Sequence, residues 1–85
     1  MIARSLDKTV VFKRPFLLKE VDRMLPAGAY RVVTDEELIE GISFPAYRRV
    51  ATMIFVPAAL GGSSIEMVTI DPLDLKTAQE RESEL

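Results

Sequence analysis

Two charged clusters in the middle of the chain carry the residues best suited to catalysis or ligand binding. Asp35, Glu36 and Glu37 form an acidic run, and Arg48 and Arg49 follow later in the chain. Neighbouring carboxylates can act as general acid and base or hold a divalent cation, and arginines bind phosphate and carboxylate groups. Because β-like runs at residues 29–33 and 50–56 flank the clusters, we expect the fold to bring the two clusters close together.

The acidic run also has a structural interpretation. Thr34 and Glu37 match a capping box, in which the Thr34 hydroxyl accepts the Glu37 amide and the Glu37 carboxylate accepts the Thr34 amide. Gly41 would then end a single helical turn. The alternative is a strand that continues through residues 38 and 39. We favour helix capping over catalysis by the three carboxylates, and no spacing typical of a Ca²⁺ or Mg²⁺ loop is visible.

The arginines allow two interpretations. Arg31, Arg48 and Arg49 could bind an anion, such as a phosphate, a nucleic-acid backbone or an acidic partner. Alternatively, Arg48 or Arg49 pairs with a nearby carboxylate and holds the connector in place, which we favour because the opposite charges are available. The candidate cluster for binding or structure is therefore Arg31, Asp35, Glu36, Glu37, Tyr47, Arg48 and Arg49.

Composition narrows the function classes. The 85 residues include no His and no Cys, which removes most routes to a nucleophile, a proton shuttle or a transition-metal site. We therefore expect no catalytic activity and no cofactor. The net charge of −2 disfavours nucleic-acid binding. The apolar run over residues 50–60 is too short to span a bilayer, and the N-terminal residues do not resemble a signal peptide, so a cytoplasmic, membrane-free protein is expected.

Local patterns predict mostly strands. Residues 8–18 indicate a strand that Pro15 interrupts, and residues 25–28 indicate a turn at Pro26 and Gly28. Residues 48–56 predict a central strand covered on both faces, and residues 65–70 predict a final strand. Residues 57–64 have the composition of a loop. Asp71 as N-cap and Pro72 at the first helical position predict a helix over residues 72–82.

These elements predict an α+β, β-rich fold. We expect a single domain over residues 1–85, with a C-terminal helix and acidic tail over residues 72–85. Short connections favour pairing between neighbouring strands. The expected architecture is a strongly bent antiparallel sheet, or a small half-open β-barrel, of four to five strands with a C-terminal helix.

Three stretches resemble a group of short, uncharacterised bacterial proteins. They are residues 25–32 (LPAGAYRV), residues 35–37 (DEE) and residues 43–49 (SFPAYRR). The resemblance covers roughly the middle third of the chain. It implies a bacterial origin, and it carries no catalytic residues over to this sequence.

The resulting functional hypothesis is a small accessory module that acts by binding a protein partner. A second copy of the chain is one candidate partner, because the apolar run over residues 50–60 exceeds what the thinly apolar C-terminal helix can cover. One alternative is a nucleic-acid- or anion-binding module that uses Arg31, Arg48 and Arg49. The other, which the absence of His and Cys disfavours, is a small enzyme that uses Asp35, Glu36 and Glu37.

Overall fold

The computed structural model describes residues 3–41, 43–58 and 63–83. Within these residues the chain forms six strands and one helix. They are β1 (Arg4–Phe12), β2 (Phe16–Leu18), β3 (Val21–Leu25), β4 (Gly28–Leu38), β5 (Tyr47–Pro57), β6 (Ile65–Ile70) and α1 (Pro72–Ser83). None of the helical structure in the described ranges is long and apolar enough to cross a membrane.

The strands form two antiparallel sheets. The larger sheet has the order β1-β4-β5-β6, and β2 pairs with β3 in a separate hairpin. The larger sheet is not closed into a barrel, because β1 and β6 are its two edges. The expectation of a β-rich α+β fold with an antiparallel sheet is confirmed. The strand number was underestimated, because the chain breaks after Phe12, as Pro15 indicated, and because Val21–Leu25 adds a strand that its sequence did not reveal.

One face of the larger sheet, the covered face, packs against the hairpin and α1. Inward-facing side chains from all three layers form a single core cluster, with a stacked and edge-on group of Phe12, Phe16 and Tyr30 at one end. Alternate residues on each strand point the other way, so the period of two in the sequence separates a covered face from an open face. This separation determines where every candidate residue lies.

The predicted helical turn at Thr34 is wrong. The chain continues as β4 through Leu38, and the backbone amide of Ile39 still donates to the Ala46 carbonyl at 2.8 Å. A continuous ladder with β5 bonds more backbone groups than one isolated turn, whose nucleation is costly. Thr34 therefore lies buried in the sheet instead of capping a helix, and Gly41 belongs to the β4–β5 loop with φ of +81°.

A bulge sets the register of the acidic and basic clusters. β4 and β5 pair regularly as far as Asp35 and Ala51, and then Val50 is the extra residue of β5. Beyond the bulge, Glu36 lies opposite Arg49 and Glu37 lies opposite Arg48. The bulge thus brings the two clusters into direct cross-strand contact, as the sequence led us to expect.

The C-terminal helix agrees with its sequence signals. The Asp71 carboxylate accepts the Leu73 amide at 2.9 Å, and Pro72 is the first helical residue. Over residues 72–82 of α1, only Leu75 and Ala78 are buried, so this part of the helix shields a limited part of the sheet. Of the predicted loop over residues 57–64, residues 59–62 lie outside the described ranges, as do residues 84 and 85 of the predicted tail.

The expectation that β5 is covered on both faces is wrong. β5 is central in the sheet order, but the hairpin and α1 cover only the side that carries Ile54 and Val56. Met53 and Phe55 belong to the opposite side, where Met53 is buried and Phe55 half-buried, and neither is part of the core cluster. Both faces of this strand are apolar although one lacks a covering layer.

Candidate functional site: the open face of the sheet

The strand register defines which residues share the open face. Residues that lie directly opposite each other on paired strands point to the same side of the sheet. By this rule the open face contains Ser5, Asp7, Thr9 and Val11 of β1, Ala29, Arg31, Val33 and Asp35 of β4, Ala51, Met53, Phe55 and Pro57 of β5, and Ile65, Met67 and Thr69 of β6. Every strand of the larger sheet thus contributes to one continuous surface.

Large apolar side chains are exposed on this surface. Val11 is 63% exposed, Met67 is 59% exposed and Ile65 is 70% exposed. Val33 and Phe55 are half-buried between them. Single exposed apolar residues are ordinary, but a group on one flat sheet face is typical of a surface that binds another protein.

The charge at the centre of the open face is internally neutralised. The Arg31 guanidinium donates to the Asp7 carboxylate, with 2.6 Å between Nη2 and Oδ2. This hydrogen bond lowers the pKa of Asp7 and raises the pKa of Arg31. The Arg31 guanidinium carbon also lies 5.0 Å from the centre of the Phe55 ring, which is within cation–π range. Arg31 thus joins three strands and leaves no unpaired charge there.

A cleft of about 470 Å³ lies at one end of the open face. It forms because the pairing of β4 with β5 ends at Val32 and Ile54, so that Ala29 and Pro57 line opposite sides of a gap. The Tyr30 hydroxyl supports one wall by donating to the Pro26 carbonyl at 2.5 Å. Burial raises the pKa of Tyr30, so the hydroxyl keeps its proton.

The predicted charged cluster divides between the two faces. By register, Arg31, Asp35, Glu37 and Arg48 point to the open side, whereas Glu36, Tyr47 and Arg49 point to the covered side. Glu37 and Arg48 form an ion pair, which is the structural pairing favoured from the sequence. Asp35 accepts the Ser5 hydroxyl at 2.6 Å. The seven predicted residues therefore form two groups, one on each side of the larger sheet.

Arg4 completes the group on the covered side. Its Nε donates to the Glu36 carboxylate at 2.6 Å, and its guanidinium carbon lies 3.8 Å from the centre of the Tyr47 ring. Glu36 is thus bound by Arg4 and not by Arg49, its partner in the register. Arg4 and Asp7 were not among the predicted residues, because only the pairing of β1 with β4 brings them to the cluster.

The carboxylates of the acidic run are not arranged for acid–base chemistry. Asp35, Glu36 and Glu37 accept hydrogen bonds from Ser5, Arg4 and Arg48 respectively. Adjacent residues of a strand point to opposite faces, so Glu36 points away from Asp35 and Glu37. Asp35 and Glu37 share the open side but bind different partners, Ser5 and Arg48. Within the described ranges there is no group of three metal-ligating side chains. The arrangement stabilises the end of the β4–β5 hairpin.

A hollow of about 550 Å³ lies at that end of the sheet, lined by Ala3, Glu37, Leu38, Ile39, Glu40 and Arg48. Its two central charges are already paired with each other, since Glu37 binds Arg48. The remaining walls are the aliphatic side chains of Ala3, Leu38 and Ile39, together with the side chain of Glu40. The hollow therefore combines an internal ion pair with aliphatic surface and one exposed carboxylate, that of Glu40.

Comparison with known proteins assigns no function to the open face. No family model, no curated protein and no solved structure matches the chain.

Proposed function

We propose that this chain is a protein-interaction module without catalytic activity and that it binds a second copy of itself through the open face. The observation that carries the proposal is the exposure of Val11, Ile65 and Met67 on a sheet face that no other element of the described chain covers. Burying apolar surface is the main driving force of association, so such a face is stabilised by a partner.

Charge favours a second copy as the occupant. Arg31 pairs with Asp7, and Asp35 accepts a hydroxyl from Ser5, so the face has little charge to repel an identical face. Two copies related by a two-fold axis would place the same apolar stripe, defined by Val11, Ile65 and Met67, on both sides of the interface. The slender dimensions of the chain, 46 × 31 × 19 Å, give this face a large share of its surface.

The alternative of an anion site made by Arg31, Arg48 and Arg49 has less support. Arg31 and Arg48 each have a carboxylate partner, and Arg49 points to the other side of the sheet. A nucleic-acid backbone needs several accessible cations on one surface. The three arginines do not form such a surface.

Light scattering coupled to gel filtration tests the proposal at several protein concentrations. We expect the mass to rise above the monomer value of 9.5 kDa towards twice that value. Met67→Lys should return the mass to that of the monomer, because it places a charge in the apolar stripe. Leu73→Lys is the matched control, since Leu73 is equally exposed on α1, away from the open face, and should leave the dimer intact.

Two results would overturn the proposal. A mass of 9.5 kDa at every concentration would exclude a second copy as the partner. A dimer that Leu73→Lys disrupts and Met67→Lys does not would place the interface on α1.

A further inference from the structure

A separate hollow of about 200 Å³ lies on the covered face, between the larger sheet and the first turns of α1. Thr34 and Thr52, which lie opposite each other on β4 and β5, form part of its wall. Three cations from three different elements surround it: Lys8 of β1, Arg49 of β5 and Lys76 of α1. We call this hollow, defined by those five residues, the basic pocket.

The basic pocket has a positive charge that the protein does not neutralise. Its lining includes no carboxylate. Within residues 3–41, 43–58 and 63–83, Lys8, Arg49 and Lys76 form no ion pair. Glu36 lies opposite Arg49 in the register, but its carboxylate binds Arg4.

Thr52 supplies a second, independent indication of a ligand. Its side chain is only 4% exposed, and among the described residues its hydroxyl has no hydrogen-bond partner. Buried polar groups are nearly always hydrogen-bonded, and an unpartnered one is costly. A ligand oxygen in the basic pocket would give this hydroxyl an acceptor.

The helix itself does not supply the binding groups. The amides of Leu73, Asp74 and Leu75 already donate to Asp71, and Pro72 has no amide proton. Any anion in the basic pocket is therefore held by side chains, among them two ammonium groups, one guanidinium and the hydroxyls of Thr34 and Thr52. Such a donor set matches the oxygens of a phosphate group, which accept several charge-assisted hydrogen bonds at once.

We propose that the basic pocket binds a small phosphate-bearing ligand through Lys8, Arg49, Lys76 and the Thr52 hydroxyl. The volume equals that of several water molecules, which suits a free phosphate or a small phosphomonoester. Because this pocket lies on the face opposite the proposed dimer interface, either proposal can fail without the other.

Isothermal titration calorimetry at low ionic strength tests the proposal, with inorganic phosphate and glycerol phosphate as the two probes. We expect saturable binding with one site per chain, weakened by added salt. If inorganic phosphate binds more tightly than glycerol phosphate, the ligand of the basic pocket is the free ion. If glycerol phosphate binds equally or more tightly, the ligand is a phosphate ester. Absence of saturable binding by both probes would overturn the proposal.

Variants identify the site. Lys8→Gln, Arg49→Gln and Lys76→Gln should each weaken binding about tenfold, because each removes one charge-assisted hydrogen bond. Lys13→Gln is the matched control, since Lys13 carries the same charge outside the pocket, and its affinity should change less than about twofold. Binding that weakens equally in all four variants would mean unspecific attraction and would overturn the assignment.

Thr52→Val separates ligand binding from folding. Valine has nearly the same shape, so the fold is retained, and a cooperative unfolding transition checks this. We expect affinity for the better probe to fall about tenfold while unliganded stability does not fall. Unchanged affinity in a folded Thr52→Val protein would exclude the hydroxyl from the site and contradict the proposal.

Discussion

Arg31 and Asp7 form an ion pair across β4 and β1, with 2.6 Å between Nη2 and Oδ2, in the middle of the open face. They are diagonal neighbours, since Arg31 lies opposite Thr9 and Asp7 lies opposite Val33. The pair has two effects. It links the edge strand to the centre of the sheet, and it neutralises the charges of Arg31 and Asp7 on the open face.

The first prediction concerns this pair and pH. Because Arg31 lowers the pKa of Asp7 below its usual value of 3.8, the ionised carboxylate stabilises the folded state above that pH. The stabilisation is lost as the pH falls through the lower pKa of the folded state. Asp7→Asn should therefore lower stability at neutral pH, and the difference from wild type should vanish in strong acid, below the pKa values of both the folded and the unfolded state. Urea unfolding at the two pH values measures it.

The effect of Asp7→Asn should be small and should shrink with salt, because both side chains are solvent-exposed. Asp22→Asn on β3 is the matched control, since Asp22 is exposed and has no ion pair within the described ranges. A wild-type advantage that persists undiminished in acid would show that the Asp7 carboxylate is not its source.

The second prediction concerns which of the two arginines, Arg48 or Arg49, interacts with Glu37. Glu37 binds Arg48, so a double-mutant cycle with Glu37→Gln and Arg48→Gln should give a coupling free energy of about 0.5 kcal/mol. The cycle of Glu37→Gln with Arg49→Gln should be additive, because Arg49 points to the other face. Chemical denaturation gives all the values. Coupling to Arg49 and not to Arg48 would mean that the bulge at Val50 is misplaced.

The third prediction uses the unpartnered hydroxyl of Thr52. In the absence of ligand, Thr52→Val should raise the free energy of unfolding by about 1 kcal/mol, because it removes a buried polar group without a partner. Thr9→Val on the open face should change stability much less, since Thr9 is exposed. Destabilisation by Thr52→Val would indicate that the hydroxyl is hydrogen-bonded in the folded protein.

The fourth prediction concerns Tyr30, whose ring contacts Phe16 edge-on at 5.1 Å between ring centres. Tyr30→Phe keeps this packing but removes the donor to Pro26, so it should cost about 1 kcal/mol. Burial raises the pKa of Tyr30, so its neutral hydroxyl stabilises the fold below the usual pKa of 10.0. As the pH rises through the folded pKa that stabilisation is lost, and the gap between wild type and variant should narrow.

Thermal or urea unfolding at neutral and alkaline pH measures this fourth effect. Tyr47→Phe is its control, because the Tyr47 ring is partly exposed and its contact with Arg4 does not need the hydroxyl. Equal losses in the two variants would remove the special role of the hydrogen bond to Pro26.

Sequence patterns predicted the local elements where the signals are local. Asp71 and Pro72 specify the start of α1 through a cap and a fixed φ, and Pro15 marks the break between β1 and β2. The capping box at Thr34 led to a wrong prediction, because the same residue types occur both at helix starts and in strands. The ladder with β5, a non-local interaction, decided the conformation there.

The candidate site could be predicted only in part. Contact between the acidic run and the arginines followed from two clusters flanked by adjacent strands. The choice of Arg48 over Arg49 as the partner of Glu37 did not, because the bulge at Val50 decides it. The roles of Arg4 and Asp7 did not, because they depend on β1 pairing with β4 across the intervening hairpin. The basic pocket was also hidden, since Lys8, Arg49 and Lys76 are far apart in the sequence and meet only when α1 packs on the sheet.

The most direct test of the central claim is an isotope-filtered NMR experiment on a mixture of labelled and unlabelled chains. Nuclear Overhauser effects that arise only between chains report which side chains meet at the interface. We predict such effects at Val11, Phe55 and Met67 of the open face. Intermolecular effects at Leu73 of α1 instead, or none at millimolar concentration, would contradict the claim that the open face binds a second copy.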